Sequence, residues 1–458
     1  MPGPVFLVER EAETIHRMAL QVLERTGILL DHEEAETLLL EAGAHRDSFG
    51  RVLMPPAMVN EALDRASTKI QMWDQEGNRA MLLRNGRTFF GPGSDAMYNV
   101  DRHTNLIRMT RLDDVRENVR IADALPGFSF VMSMGLPQDV PVRKLYPAIF
   151  AEMVANTTKP LIVTAPTLDE VARIHAIACI VAGGEQALRR KPFYLSYVDP
   201  ISPLHFDRSG MERLLFCAEH ELPIVFAAGA NCGGGAPITP EGGVVQGSAE
   251  SLAGLVLALL KNDNARFVYG ANTSVLDMTS SIVSYGAPEW FRTVAMYADV
   301  GRYYDLPSWG TAGCSDSYVI DAQAAMEAYE GILMATRSGT TLAHDVGYLA
   351  HGALYDARML VLADVMIERA RQLLGPPDLS PESLRSGAAD ARARQAAPQR
   401  DPSGLSELCG ELDRLPQRHE KDLVGLLTER MNDIAGTHAP RRLDAGVSRQ
   451  IDRYLDSL

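Results

Sequence analysis

Eight short β-type runs recur along residues 87–348, and each closes in small or polar residues. They are "RTFFGPGSDAMY" (87–98), "FSFVMSMGLP" (128–137), "KPLIVTAP" (159–166), "PFYLSYVDP" (192–200), "PIVFAAGA" (223–230), "RFVYGANTS" (266–274), "LPSWGTAG" (306–313) and "TTLAHDVGY" (340–348). Their starts lie 31 to 43 residues apart, which leaves room for one helix and its loops between each pair. Several of the intervals read as helices. "LDEVARIHAIACIVAG" and "SAESLAGLVLALLKN" place apolar residues at helical spacing, and "DAQAAMEAYEGILMATRSG" adds an N-cap Asp321 and a terminal Gly339. Strands that alternate with helices imply parallel βαβ units, and eight of them predict an α/β chain folded as a (β/α)8 TIM barrel over 86–375. A doubly wound open sheet is the runner-up. It is disfavoured because no GxGxxG follows the first run and no GxxxxGK[ST] occurs anywhere.

The flanks read differently. Residues 1–85 predict an N-terminal helical region, from "ETIHRMALQVLERTGILL", "EEAETLLLEAGA" and a Pro-initiated "PPAMVNEALDRA". Residues 376–403 are rich in Pro, Ala, Arg and Ser, and predict a mobile insertion or linker. Residues 404–458 then carry C-terminal helices, near 419–434 and 443–456.

Charge and cysteine usage exclude several classes. Asp+Glu 59 against Lys+Arg 44 gives a net charge of −15 with no basic stripe, so nucleic acid and anionic membranes are not expected partners. The N-terminus reads as no signal peptide, and no apolar run reaches the ~18 residues of a spanning helix. The five cysteines (Cys179, Cys217, Cys232, Cys314, Cys409) are scattered and read as reduced thiols. A cytoplasmic homo-oligomer is expected.

A barrel does its chemistry at the C-terminal strand ends. The residues closing the runs include Asp95 and Tyr98, Ser133, Thr164, Tyr197 and Asp199, Asn231, Tyr269 and Asn272, Trp309 and Cys314, His344 and Asp345. None of the six lysines closes a run, which argues against a Schiff-base aldolase. There is no HxH or HExxH, and no strand end doubles its His and Asp ligands, so no tightly bound metal is expected. The glycine-rich 229–251 is followed by a helix but lacks a nearby basic residue, so it reads better as a surface that a large planar group can approach than as a phosphate loop. Aromatic rings beside carboxylates suit a quaternary ammonium ion, which has no N–H to donate. Trp309, Tyr98, Tyr197, Tyr269 and Tyr348 are the rings available, although strand-end aromatics more often pack than bind, and His344 is as readily structural as a ligand contact.

"GPGSDAMY", "GGGAPITPEGGVVQGSAESLAG", "GTAGCSDSYVIDAQAAMEAYEGILMAT" and "LAHDVGYL", in that order, resemble the trimethylamine:corrinoid methyltransferase superfamily. The likeness covers about residues 10–375 and the terminal helices. It implies a TIM-barrel, corrinoid-dependent methyltransferase that passes a methyl group from an amine to a corrinoid (cobalamin) carried by a partner protein. Founding members of that superfamily carry pyrrolysine, expected on the loop around Cys314, whereas this chain has only the twenty standard residues. The resemblance therefore points to the pyrrolysine-free branch and to a quaternary amine, glycine betaine first. Proline betaine, carnitine or choline, or a non-catalytic betaine-binding barrel, are the alternatives. It implies Asp95 and His344 as the catalytic pair, Asp95 balancing the cation and His344 holding a carboxylate. Tyr98, Tyr197, Asn231, Trp309 and Tyr348 would bind substrate, and Gly233, Gly234, Gly313 and Cys314 would face the corrinoid.

Overall fold

The computed structural model describes residues 3–380 and 422–458. The predicted 376–403 insertion falls almost wholly outside the described residues, as does Cys409. Seven of the eight predicted runs form one parallel sheet, in the order Phe89–Phe90, Leu342–His344, Ser308–Thr311, Arg266–Gly270, Pro223–Phe226, Tyr194–Val198, Leu161–Thr164. The remaining run closes the ring. Residues 128–131 bridge in parallel from Phe90 to Phe128 on one side and from Val131 to Leu161 on the other. The barrel is shut by single bridges there because residues 127–135 form no continuous ladder.

Every strand is followed by helix. The outer layer comprises α4 (Leu112–Ala124), α5 (Leu145–Asn156), α6 (Leu168–Ala182) with the short α7 (Glu185–Arg190), α8 (Arg208–Glu219), α9 (Pro240–Lys261), α10 (Pro288–Tyr303), α11 (Ala322–Ser338) and α12 (Ala357–Leu374), after α1 (Glu9–Arg25), α2 (Glu33–Glu41) and α3 (Pro56–Arg65). Two further helices, α13 (Leu423–Thr437) and α14 (Ala445–Ser457), pack on α12 and α4 and on α5 and α6. The sequence explains these boundaries. Thr167 and Glu170 make a reciprocal capping box at the start of α6, and Gly183 ends it in the left-handed conformation. Asp321 and Gly339 do the same work on α11. Thr167→Ala is expected to lower the urea midpoint by a loss of about 1 kcal/mol, with Thr167→Ser near wild type.

Helix α9 is long and apolar enough to cross a membrane, and 89% of its most apolar window is buried against α1–α3, α8 and α10. Its start at Pro240 lies eight residues before the predicted apolar stretch, because Thr239 caps it and Pro240 fits the first turn.

The N-terminal region departs from an all-helical reading. Residues Ile70–Trp73 and Arg79–Leu83 pair as an antiparallel hairpin. Ile70, Met72, Met81 and Leu83 alternate inward and join Phe130, Ile162, Leu195, Val225, Val268 and Leu342 in one buried cluster inside the barrel. The hairpin thus plugs the N-terminal end of the ring, opposite the C-terminal strand ends.

Candidate active site

Strand pleating decides which strand-end residues reach the interior, since neighbours point to opposite faces. Thr164, Tyr197, Trp309 and His344 point in. With Ser94, Asp95, Met132, Asn272, Tyr285, Asp345, Tyr348 and Gly352 they line a cavity of about 300 Å³ at the C-terminal end of the strands. Tyr269 is on the opposite face of its strand. Its hydroxyl meets that of Ser248 on α9 at 2.6 Å, and it is a packing residue.

Aromatic rings make one wall. Trp309 lies 4.0 Å centroid to centroid from His344 and 5.5 Å from Tyr197. The rings are fixed by a chain of hydrogen bonds. Trp309 Nε1 donates to Asn272 Oδ1 (3.1 Å), Asn272 Nδ2 donates to the Tyr197 hydroxyl (3.1 Å), and that hydroxyl donates to the Ala227 carbonyl (3.1 Å). Tyr348 closes the side by donating to the carbonyls of Ser94 and Met134.

Two carboxylates face this wall, both on residues in the left-handed region: Asp95 at φ 65° and Asp345 at φ 66°. Non-glycine residues are held there at a cost, and such strain clusters at functional sites. Gly93 permits the approach of the two loops, since a Cβ on it would fall 2.3 Å from Asp345 Oδ1 and 2.6 Å from the Tyr348 ring. Asp95 Oδ2 accepts from Thr164 Oγ1 (2.6 Å) and Ser94 Oγ (2.8 Å), while its Oδ1 is buried with no partner. Burial pushes the Asp95 carboxyl above its ordinary pKa. Burial, and then the nearby Asp95 charge, push Asp345 up to about 8. His344 Nδ1 lies 2.9 Å from the Gly310 carbonyl, so Nδ1 carries the proton. Its Nε2 lies 3.2 Å from Asp345 Oδ2, and burial lowers the imidazole to about 3. At neutral pH the cavity therefore holds a neutral imidazole in close contact with a protonated Asp345. None of the described residues lining the cavity is Lys or Arg.

Of the residues singled out in the sequence, Asp95, Thr164, Tyr197, Asn272, Trp309, His344, Asp345 and Tyr348 come together here. Tyr98 does not. It sits, 38% exposed, on a small rim sheet of Tyr98–Val100, Ile107–Met109, Tyr348–Leu349 and Leu354–Tyr355. Asn231 lies on the loop after the fifth strand, outside the cavity lining, and Asn272 is the amide that lines it. Gly233 and Gly234 lie at the rim, whereas Gly313 and Cys314 are buried. Gly313 lies against Val346, and Cys314 Sγ is 3.4 Å from the Tyr285 carbonyl. The loop "SWGTAGCSDS" thus contributes Trp309 directly and Asp316 indirectly. Asp316 accepts from the Tyr285 amide (2.6 Å), from Ser284 Oγ and from His351 Nδ1 (2.8 Å), and so seats Tyr285 in the wall. Tyr285 lies outside the eight runs, and Met132 sits one residue before Ser133 in the second run; nothing in the local sequence marks either as lining the cavity.

Against known proteins, residues 3–397 match the family model described as trimethylamine methyltransferase (MTTB). The chain is 27% identical over 382 residues to a trimethylamine methyltransferase of Desulfitobacterium hafniense, covering 82% of this chain and 76% of that one. It is 25% identical over 355 residues to a glycine betaine methyltransferase of the same species, covering 77% and 73%. The crystal structure of the Methanosarcina barkeri monomethylamine methyltransferase superposes with a TM-score of 0.50 at 13% identity, covering 97% of this chain and 92% of that one. The shared fold is a parallel β/α barrel. With a family match over most of its length and a site at the expected strand ends, this chain belongs to the trimethylamine methyltransferase family.

Proposed function

We propose that this protein moves a methyl group from a quaternary ammonium compound to a corrinoid carried by a partner protein. The observation that carries the reading is the buried acid pair, Asp95 and Asp345, facing Tyr197, Trp309 and Tyr348 across a cavity with no Lys or Arg among the described residues of its lining. Such a pocket is short of one positive charge. A quaternary ammonium supplies it, meeting the ring faces by cation–π attraction and the unpartnered Asp95 Oδ1 by charge.

When bound at the mouth, the corrinoid supplies a Co(I) nucleophile for the methyl carbon. The C–N bond pair stays on nitrogen and leaves as a neutral tertiary amine, so no side chain has to deliver a proton. The residues position the cation and exclude water. The rim fits a large planar group and its carrier. Ile201, Ile238, Met278, Tyr318 and Val319 are each more than half exposed on loops after four successive strands, and Gly233 and Gly234 lie among them. Asp95 is assigned to the cation. The Tyr285 hydroxyl is assigned to the carboxylate of a betaine. His344, expected from the sequence to hold that carboxylate, donates its Nδ1–H to the Gly310 carbonyl and is neutral. It therefore offers no donor and instead packs against the Trp309 ring.

Glycine betaine is the first substrate we assign, with proline betaine and carnitine behind it. The cavity's lack of Lys and Arg favours a second reading, a carboxylate-free cation such as choline, because a substrate carboxylate would meet only neutral donors there. The test is incubation with cob(I)alamin and a panel of glycine betaine, proline betaine, carnitine, choline, trimethylamine and dimethylamine, with mass spectrometry of the demethylated products. Turnover of a quaternary member with trimethylamine inert is expected. Rapid turnover of trimethylamine with none of the quaternary amines would sink the reading, and binding without any turnover would leave a betaine-binding barrel.

A further inference from the structure

The end of the barrel opposite the cavity holds a cluster that methyl transfer does not use. His175 sits midway along α6, buried, with Nδ1 3.0 Å from the hydroxyl of the buried Tyr194. His220 caps the end of α8, and its Nδ1 lies 2.8 Å from Oε1 of Glu185, the first residue of α7. The two imidazole centroids are 4.7 Å apart. One ligand atom from each of His175, Glu185 and His220 lies within 4.8 Å of the other two.

We propose that His175, Glu185 and His220 bind one divalent ion of the zinc class, which ties α6, α7 and α8 together at the foot of the barrel. Two features separate the trio from an ordinary polar patch. The donors are two imidazoles and one carboxylate, a set that suits zinc. The Tyr194 hydroxyl pairs with His175 Nδ1, which leaves Nε2 as the ring nitrogen available to an ion. A hydrogen bond from the second ring nitrogen is how proteins orient a metal-binding histidine.

The geometry needs only a small contraction. Donor atoms around a tetrahedral zinc are about 3.3 Å apart, so the widest pair would close by about 1.5 Å. Cys179 Sγ, 3.5 Å from His175 Nε2, stands next to the position of a fourth ligand. Arg189 opposes the ion, because its guanidinium contacts Glu185 at 3.3 Å. It also contacts Glu221 at 3.3 Å and retains that partner when Glu185 turns to a metal. The ligands come from three helices and lie 10 and 35 residues apart, so no spacing motif announces them. The expectation of a metal-free chain, drawn from motif spacing, does not reach a site assembled this way.

The full chain, stripped with a chelator and titrated with zinc chloride by calorimetry, is expected to bind one equivalent. His220→Ala and Glu185→Gln should each weaken binding by about tenfold or more, while His103→Ala, at an exposed histidine elsewhere, leaves it unchanged. Zinc should raise the thermal midpoint of the unaltered chain and not that of His220→Ala, since an ion bound only by the folded state stabilises it. Far-UV circular dichroism checks that both variants fold. Glu185→Gln keeps the test open if His220→Ala does not. Absence of stoichiometric binding, or binding that both variants retain, overturns the site. Neither result bears on methyl transfer.

Discussion

Asp95→Asn is expected to weaken binding of the preferred quaternary amine by ten- to a hundredfold, on the order of 1–3 kcal/mol, with the fold intact. Asparagine keeps the shape and the contacts with Thr164 and Ser94 but removes the charge that Oδ1 presents without a partner. The effect is bounded by compensation. The Asp95 charge helps hold Asp345 protonated, so its removal lets Asp345 ionise more readily and take over part of the cation. The double variant Asp95→Asn, Asp345→Asn has no such reserve. Its loss should exceed the sum of the two single losses and reach roughly a thousandfold, because coupled neighbours are not additive. Calorimetry across the four proteins measures this. Unchanged affinity in Asp95→Asn for every quaternary amine would remove Asp95 from the site.

Cation affinity is expected to rise with pH and level off near 8. The sign follows from Asp345, whose pKa in the empty cavity is about 8. Below that pH the carboxyl is protonated, and a bound cation favours its ionised form. Binding must then expel a proton, and the dissociation constant should fall by up to about tenfold per pH unit. Above it no proton is released and the slope vanishes. Titrations in buffers of different ionisation enthalpy count the proton directly. Asp345→Asn should flatten the profile. A pH-independent affinity between 6 and 9 would show that Asp345 does not couple to the cation.

The barrel itself was legible in the sequence because its signal is local and repeated. Each βα unit writes its own strand, N-cap and helix, as Thr167 with Glu170 and Asp321 with Gly339 show. Asp95, Tyr197, Trp309, His344 and Tyr348 were legible for the same reason, since the fold fixes where strand ends lie. Pleat parity was harder to read. Tyr269 ends a strand as Tyr197 does, yet faces the helices, and Asn272 takes the cavity position that Asn231 was expected to share. A shift of one residue reverses the face, and short runs carry too few positions to set it. The hairpin of residues 70–83 also escaped, because its apolar residues are sparse and pair across a turn before they enter the barrel.

What only the tertiary structure decided has one physical cause, the meeting of groups far apart in the chain. Asp95 and Asp345 are ordinary carboxylic acids in the sequence, and only burial raises both pKa values, with the Asp95 charge adding to the rise at Asp345. Asp316 carries no signal of its own in the sequence, and packing assigns it to holding Tyr285. The same holds at the other end of the barrel, where His175, Glu185 and His220 converge from three helices. Local order is written residue by residue, whereas charge balance and ligand geometry depend on long-range neighbours that no short window contains.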